Sequence, residues 1–207
     1  MSSKAFFNEI ANQWDEMRTS YFSCQVREKA FDIAQLEIGK VAADIGAGTG
    51  FITEGLVLRN IKVIVVDQSE EMIKSMQKKF ATHNEIEYKL GNYDSLPIED
   101  NKVDYVFASM YLHHVDDPLV AIKEMVRILK PGGKIIIADA EEHPYEFLKT
   151  EHYDRWLGFN KANLREWLLS TTLSNVVVKD LEERCVVPSK LTQEIADINI
   201  LVGYGEK

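Results

Sequence analysis

Three glycines at alternate positions, Gly46, Gly48 and Gly50, follow the apolar run Val41-Ala42-Ala43 and the acid Asp44. Backbone without side chains at that spacing can press against a ligand where a Cβ would collide. The run before it and Phe51-Ile52-Thr53-Glu54-Gly55-Leu56 after it supply the strand, turn and helix that such a loop needs. A nucleoside-like ligand is the expected guest. A dinucleotide fingerprint would place a third glycine five positions after the first, for close helix–strand packing beneath a pyrophosphate. Phe51 stands there instead, and the pattern reads D-x-G-x-G-x-G.

Other residues with chemistry to offer lie downstream. Asp67 ends the apolar run Val63-Ile64-Val65-Val66, 23 positions after Asp44, near the distance at which an acid at the second strand's tip meets a ribose. It could equally help start the next helix, which Ser69-Glu70-Glu71-Met72 opens with an acidic first turn. Ser109-Met110-Tyr111-Leu112-His113-His114 follows the fourth apolar run, where an open parallel sheet presents its reactive end. Tyr111, His113 and His114 are therefore candidate substrate contacts or bases, since an imidazole exchanges a proton near neutral pH. Asp116 and Asp117 read as a helix cap. The wide spacing of His143, His152 and Cys185 forms no recognisable metal site, and no metal is expected.

The Asp44–Gly50 run resembles motif I of the class I S-adenosylmethionine-dependent methyltransferases, and Gly91-Asn92-Tyr93-Asp94-Ser95-Leu96-Pro97 is similar to that family's G-D-A-x-x-L-P segment. The similarity extends to the ubiquinone- and menaquinone-biosynthesis group. The stretch Glu142–Phe159 is similar to methyltransferase domains fused to winged-helix repressors, but too few residues precede the first strand for such a module, so operator binding is not expected. The resemblance implies a cofactor, S-adenosylmethionine, whose methionine part lies along Gly46, Ala47, Gly48 and Gly50. Asp44 would orient its amino group and Asp67 would hold its ribose, with Gln68 and Met72 beside it. Asn92 would accept from the adenine amine in place of the usual Asp, which its amide oxygen can do. Tyr93, Ser109 and Trp14 complete the implied cofactor set. Phe6, Phe7, Trp14 and Tyr21 could close over the cofactor, an aromatic face being favourable beside a sulfonium.

The implied reaction is transfer of a methyl group to a small-molecule acceptor by in-line displacement. Positioning supplies much of the acceleration there, and a base is needed only if the acceptor must lose a proton. Two rivals remain: an NAD-dependent oxidoreductase, which the absent third glycine opposes, and a noncatalytic binding or scaffolding protein of the same fold. Metalloid methylation is disfavoured because two separated cysteines, Cys24 and Cys185, supply few soft ligands.

Composition bounds the partners. The 207 residues carry 45% hydrophobic and 28% charged residues with a formal net charge of −9, a balance that suits a folded soluble chain and offers no basic surplus for nucleic acid. No apolar run approaches the ~20 residues of a membrane span, no leader pattern precedes Lys4 and Glu9, and a reducing cytoplasm is the expected compartment.

The elements that must position these residues follow from periodicity. Strands are expected at Val41 to Ile45, Lys62 to Val66, Ile86 to Leu90, Val103 to Ser109 and Lys134 to Ala138, with helices between them, an alternation that makes the sheet parallel. A helix from Pro118 carries the stripe Leu119, Ile122, Val126 and Leu129 and is stopped by Pro131-Gly132-Gly133. Helical periodicity before residue 40 predicts an amphipathic cap; beyond 140 come helix-like segments at Pro144 to Thr150 and Asn163 to Leu169, then β-rich runs at Asn175 to Lys179 and Ile195 to Val202. The expectation is one α/β domain over 1–207: a Rossmann-like seven-stranded, mostly parallel sheet with an antiparallel C-terminal edge hairpin and helices on both faces. It divides into a cap (1–40), a cofactor-binding core (41–140) and a substrate side with the hairpin (141–207).

Overall fold

A computed structural model describes residues 3–207. Seven strands form one sheet: β1 (Val41–Ile45), β2 (Lys62–Asp67), β3 (Ile86–Leu90), β4 (Val103–Ser109), β5 (Leu129–Ala140), β6 (Ser174–Pro188) and β7 (Ile195–Glu206). Their spatial order is β3-β2-β1-β4-β5-β7-β6. The first five are parallel, and β7 runs antiparallel to both β5 and β6. The chain winds outward from β1 to β3, then returns to lay β4 on the other side of β1. The loops leaving β1 and β4 therefore diverge and open a crevice beyond the strands' C-terminal ends.

Eight α-helices surround the sheet among the described residues: α1 (Ser3–Ile10), α2 (Trp14–Tyr21), α3 (Gln25–Ala34), α4 (Phe51–Val57), α5 (Glu70–Lys79), α6 (Pro118–Ile128), α7 (Phe147–Glu151) and α8 (Lys161–Leu169). Side chains alternate across each strand. Ala42, Val63, Val65 and Phe107 pack with α3, α4 and α5 on one face, whereas Ala43, Ile64, Val66 and Val106 pack with α6 and α8 on the other. Both faces of the central strands are thus covered, which is why they read as unbroken apolar runs.

Local chemistry sets the helix boundaries. Ser69 caps α5 by accepting from the Met72 N–H at 3.1 Å, with Glu70 and Glu71 in the first turn and Lys78 and Lys79 in the last, all complementing the helix dipole. Asp117 caps α6 by accepting from Leu119 and Val120, ahead of Pro118 in the first turn. That helix ends at Ile128, before the Pro-Gly-Gly stop. Leu129 turns extended and pairs with Val103, and Pro131 biases the residue before it away from the helix. Two other elements differ from expectation. The N-terminal cap is three helices, because the extended, buried Phe22 interrupts the pattern between α2 and α3 and a turn at Ala11–Gln13 interrupts it between α1 and α2. Strand β6 runs to Pro188, well past Lys179, since a register shift between Asp180 and Glu183 restores pairing with β7 beyond a charged stretch whose composition hides it. No helix among the described residues is long and apolar enough to cross a membrane.

Asp44, at the end of β1, is 2% exposed. One oxygen accepts from the Thr53 N–H (3.0 Å) and hydroxyl (2.6 Å), tying the strand to the first turns of α4. Burial pushes its carboxyl up to about 7, since the Thr53 bonds offset desolvation only in part and Asp67 adds repulsion. A folded-state pKa above the unfolded one contributes stability that is present at low pH and is lost as pH rises through about 7. Asp44→Asn keeps the acceptor for Thr53 and removes the ionisation. Chemical denaturation from pH 5 to 8 is expected to show the variant gaining on the parent by roughly 3 kcal/mol; a pH-independent difference would refute the assignment.

Candidate active site

Gly46, Gly48 and Gly50 have φ of +69°, +56° and +92°, the left-handed region that L side chains rarely adopt. The loop folds back on β2: the Gly46 and Ala47 N–H groups donate to the Val66 carbonyl, and the Gly48 N–H donates to Asp67 Oδ2 at 2.8 Å. The other Asp67 oxygen accepts from the Ser69 N–H at 2.8 Å. Each oxygen keeps a lone-pair direction for a ligand. Burial pushes the Asp67 carboxyl upward while those peptide donors pull it back.

A cleft opens over this loop. Its floor is Gly46, Ala47 and Gly48; one wall is Asp67, Gln68 and Met72, another Ser109, Met110 and Tyr111. The cap supplies the cover through Phe7, Trp14, Arg18 and Phe22. Trp14 lies against Gly48, where an added Cβ would stand 3.5 Å from the indole nitrogen, and the Tyr111 ring lies on Gly46, where a Cβ would stand 2.0 Å away. Two polar atoms bordering the cleft, Ser109 Oγ and Arg18 Nε, are buried without a partner. The Arg18 guanidinium stacks 4.4 Å above the Phe51 ring.

A second cavity adjoins the first, and Phe7, Trp14, Phe22, Met110 and His114 line both. Phe6, Tyr21, Leu148, Val187 and Ile198 make its apolar surface, with His113, His143, His152, Asp154 and Cys185 among them. Burial holds His143 and His152 down at about 4 and pushes the Cys185 thiol up to about 12, so all three are uncharged at neutral pH.

The charged part of this cavity is built at the end of β4. Met110, at φ +51°, turns the chain into the short 3₁₀ turn Leu112–His114. Asp139, fully buried near the end of β5, accepts from the N–H groups of Tyr111 (3.1 Å), Leu112 (2.8 Å) and Ala140 (2.8 Å) and bonds His113 Nδ1 at 2.6 Å. That leaves His113 Nε2 facing Asp154 Oδ1 at 3.9 Å, with His114 Nδ1 3.7 Å from the same oxygen. Burial would lower the His113 pKa, yet the charges of Asp139 and Asp154 carry it up to about 9. Burial and the neighbouring His113 charge hold His114 well below its ordinary value, and its Nδ1 is buried without a partner. Burial pushes Asp154 up to about 6 against the pull of His113. The ligand atoms of His113, His114 and Asp154 all lie within 4.8 Å of one another.

Of the residues singled out by sequence, Trp14, Gly46, Ala47, Gly48, Asp67, Gln68, Met72, Ser109, Tyr111 and His114 come together at the cleft, and His113 at the second cavity. Four do not line it. Asp44 turns to Thr53, and Gly50 caps α4 beneath Phe80 and Met76. Asn92 is exposed in a turn bridged to Ser95, and Tyr93 packs on the α6-side core. The Tyr111 ring, facing Asp67, Tyr93 and Asp94, covers Gly46 on this side. Burial drives the Tyr111 phenol far above its ordinary pKa and keeps it protonated at neutral pH. Sequence reasoning missed Arg18, Asp139 and Asp154. Arg18 follows Trp14 by one helical turn and Asp139 mirrors Asp67 at a strand tip, both usable signals; Asp154 sits in irregular chain and gave none.

Residues 43–137 match the family model described as a methyltransferase domain. The chain is 28% identical over 156 residues to a demethylmenaquinone methyltransferase of Clavibacter sepedonicus, an alignment covering 74% of this chain and 63% of that relative. A chain from the Haloferax volcanii complex containing the Trm112 methyltransferase activator superposes with a TM-score of 0.79 at 20% identity, covering 97% of this chain and 96% of that one. A SAM-dependent methyltransferase from Aquifex aeolicus superposes with a TM-score of 0.70 at 20% identity, covering 96% and 97%. These two structures share the fold.

The two loop glycines should respond differently to a methyl group. In Gly46→Ala the Cβ would meet the Tyr111 ring at 2.0 Å, whereas in Gly48→Ala it reaches only ordinary contact with Trp14 at 3.5 Å. Gly48→Ala is expected to cost about 1–2 kcal/mol from its left-handed φ alone, and Gly46→Ala several kcal/mol from overpacking in addition. Equal melting temperatures for the two variants would contradict the position given to Tyr111.

Proposed function

We propose that this chain, which belongs to the class I S-adenosylmethionine-dependent methyltransferases, transfers a methyl group to a small, uncharged and largely apolar molecule held in the second cavity. The family's cofactor, S-adenosylmethionine, supplies that methyl group on a sulfonium. The observation that carries the reading is the junction of the two cavities at Met110 and His114, beneath one aromatic cover.

The cleft residues fit the cofactor's groups. Asp67 has free lone pairs and no cationic partner among its hydrogen bonds, which suits a pair of ribose hydroxyls. Ser109 Oγ and Arg18 Nε need partners that a ligand with an ammonium and a carboxylate can provide, Arg18 meeting the carboxylate. Bare peptide at Gly46–Gly48 lines the remainder, and Trp14 gives a sulfonium an aromatic face. Asn92, on its exposed turn, remains available as an acceptor at the outer edge of the site.

The acceptor side follows from the second cavity. Phe6, Phe7, Trp14, Tyr21 and Leu148 exclude water, and neutral His143, His152 and Cys185 supply weak polar contacts without charge. A flat ring of the quinol kind, bearing one polar reacting group, meets those demands, and the Clavibacter relative is named for action on demethylmenaquinone. His113 and His114 stand where that group would approach the first cleft and are the side chains placed to polarise it. The chain spans 63% of that relative's length, so the acceptor rests on the cavity rather than on the name.

Calorimetry is expected to show S-adenosylmethionine binding, weakened in Asp67→Ala by about 1–3 kcal/mol, or roughly 5- to 150-fold, with a melting curve confirming the fold. Incubation with cofactor carrying an isotopic label on the methyl group and a set of small quinols should then give labelled product. Binding of NAD without S-adenosylmethionine, or cofactor binding with no transfer to any small molecule, would favour the oxidoreductase or the scaffolding reading.

A further inference from the structure

We propose that His113, His114 and Asp154 hold a divalent transition-metal cation whose open coordination position faces the acceptor cavity. Two imidazoles and one carboxylate converging from one side are a donor set suited to such cations. His113 Nε2 and His114 Nδ1 stand 3.9 and 3.7 Å from Asp154 Oδ1, and all three ligand atoms lie within 4.8 Å. A cation about 2.0–2.2 Å from each donor needs them roughly 3–3.5 Å apart. The two contacts to Asp154 need to close by less than about an ångström, and the widest separation by roughly 1.3–1.8 Å, for a cation to be held.

Three further observations point to a ligand rather than to a packing cluster. His114 Nδ1 is buried and has no partner. Asp139 grips His113 Nδ1 at 2.6 Å and is itself held by three peptide N–H groups. This carboxylate–imidazole arrangement orients the far nitrogen of metal-bound histidines. Finally, all three donors line the same cavity, so three protein ligands leave a vacant position toward it, as at catalytic rather than structural centres. Peptide N–H groups of Arg155 and Trp156 donate to the His113 carbonyl and tether Asp154 to the turn carrying both imidazoles. The consequence for transfer rests on the reading above: an acceptor hydroxyl coordinated there would ionise at lower pH. The cation site itself does not depend on that reading.

Chelator-treated chain is titrated with Co²⁺ and then Zn²⁺. One Co²⁺ per chain is expected, with the visible absorption of a low-coordinate centre that Zn²⁺ abolishes. Asp154→Asn and His114→Gln should each weaken Co²⁺ at least 100-fold. Asp139→Asn, acting through His113, should weaken it 10- to 100-fold while leaving the absorption shape unchanged. Should His114→Gln fail to fold by circular dichroism, Asp154→Asn decides alone. Absence of stoichiometric Co²⁺ at millimolar concentration, or affinity unaltered in Asp154→Asn, overturns the proposal. S-adenosylmethionine affinity is measured on the same samples. A chain that binds cofactor but no Co²⁺ sinks the cation site only, and one that binds Co²⁺ but no cofactor sinks the transfer reading only.

Discussion

Reversal of strand order between β1 and β4 is the constraint from which the site descends. Right-handed crossovers place consecutive helices on one face while the chain moves in one direction, so a change of direction sends two adjacent loops apart. Nothing in the sheet can fill the gap they leave. The chain fills it from outside, with aromatic side chains of the N-terminal cap, and what remains beneath them is the pair of joined cavities. The glycine loop and the His113–His114 turn face each other because they leave neighbouring strands across this gap.

Acids at strand tips then fix the loops. Asp44, Asp67 and Asp139 end or nearly end β1, β2 and β5, and each carboxylate accepts peptide N–H groups of a loop that would otherwise carry unpaired donors. Their differences set their roles. Asp44 spends its bonds on Thr53 and is shut away from the cleft, so it joins strand to helix. Asp67 accepts from the peptide groups of Gly48, Ser69 and Gln68 and still lines the cleft. Asp139 takes three peptide donors and an imidazole, and its charge opposes the effect of burial on His113. Placing a carboxylate out of water is costly unless its bonds are complete, which is why the loops hold one shape.

Periodicity revealed β1, β2, β4 and β5 because both their faces are buried, and it revealed the caps at Ser69 and Asp117 because capping is a matter of one side chain and the next turn. It failed where tertiary pairing decides. Leu129 has helical spacing from Val126 and Ile122 but is drawn into β5 by Val103, and β6 continues through charged residues because β7 lies beside it. Gly46, Gly48, Asp67 and the histidine turn were legible as residues bordering the joined cavities because their spacing follows from backbone geometry. Asp44 was assigned to the cleft on motif position alone, although an acid beside Thr53 in the following helix has a closer donor. Asp154 could not be found by pattern, since only the three-dimensional return of the segment after α7 brings it to His113.

The cover couples the two cavities physically. Phe7 meets Trp14 edge-on at 5.3 Å and His114 edge-on at 4.9 Å, and Trp14 meets Tyr21 at 6.4 Å. These rings belong to α1 and α2, both short helices, and α2 buries no residue completely. The glycine loop and the Asp139 turn beneath are tied by several hydrogen bonds from peptide N–H groups. Stability is therefore lowest where a ligand must enter and highest where reacting groups must be held. Trp14 rests directly on Gly48 in the first cleft, and the same ring walls the second. The same short helices thus govern access to both, and the geometry between cofactor and acceptor is set by the rigid loops below them.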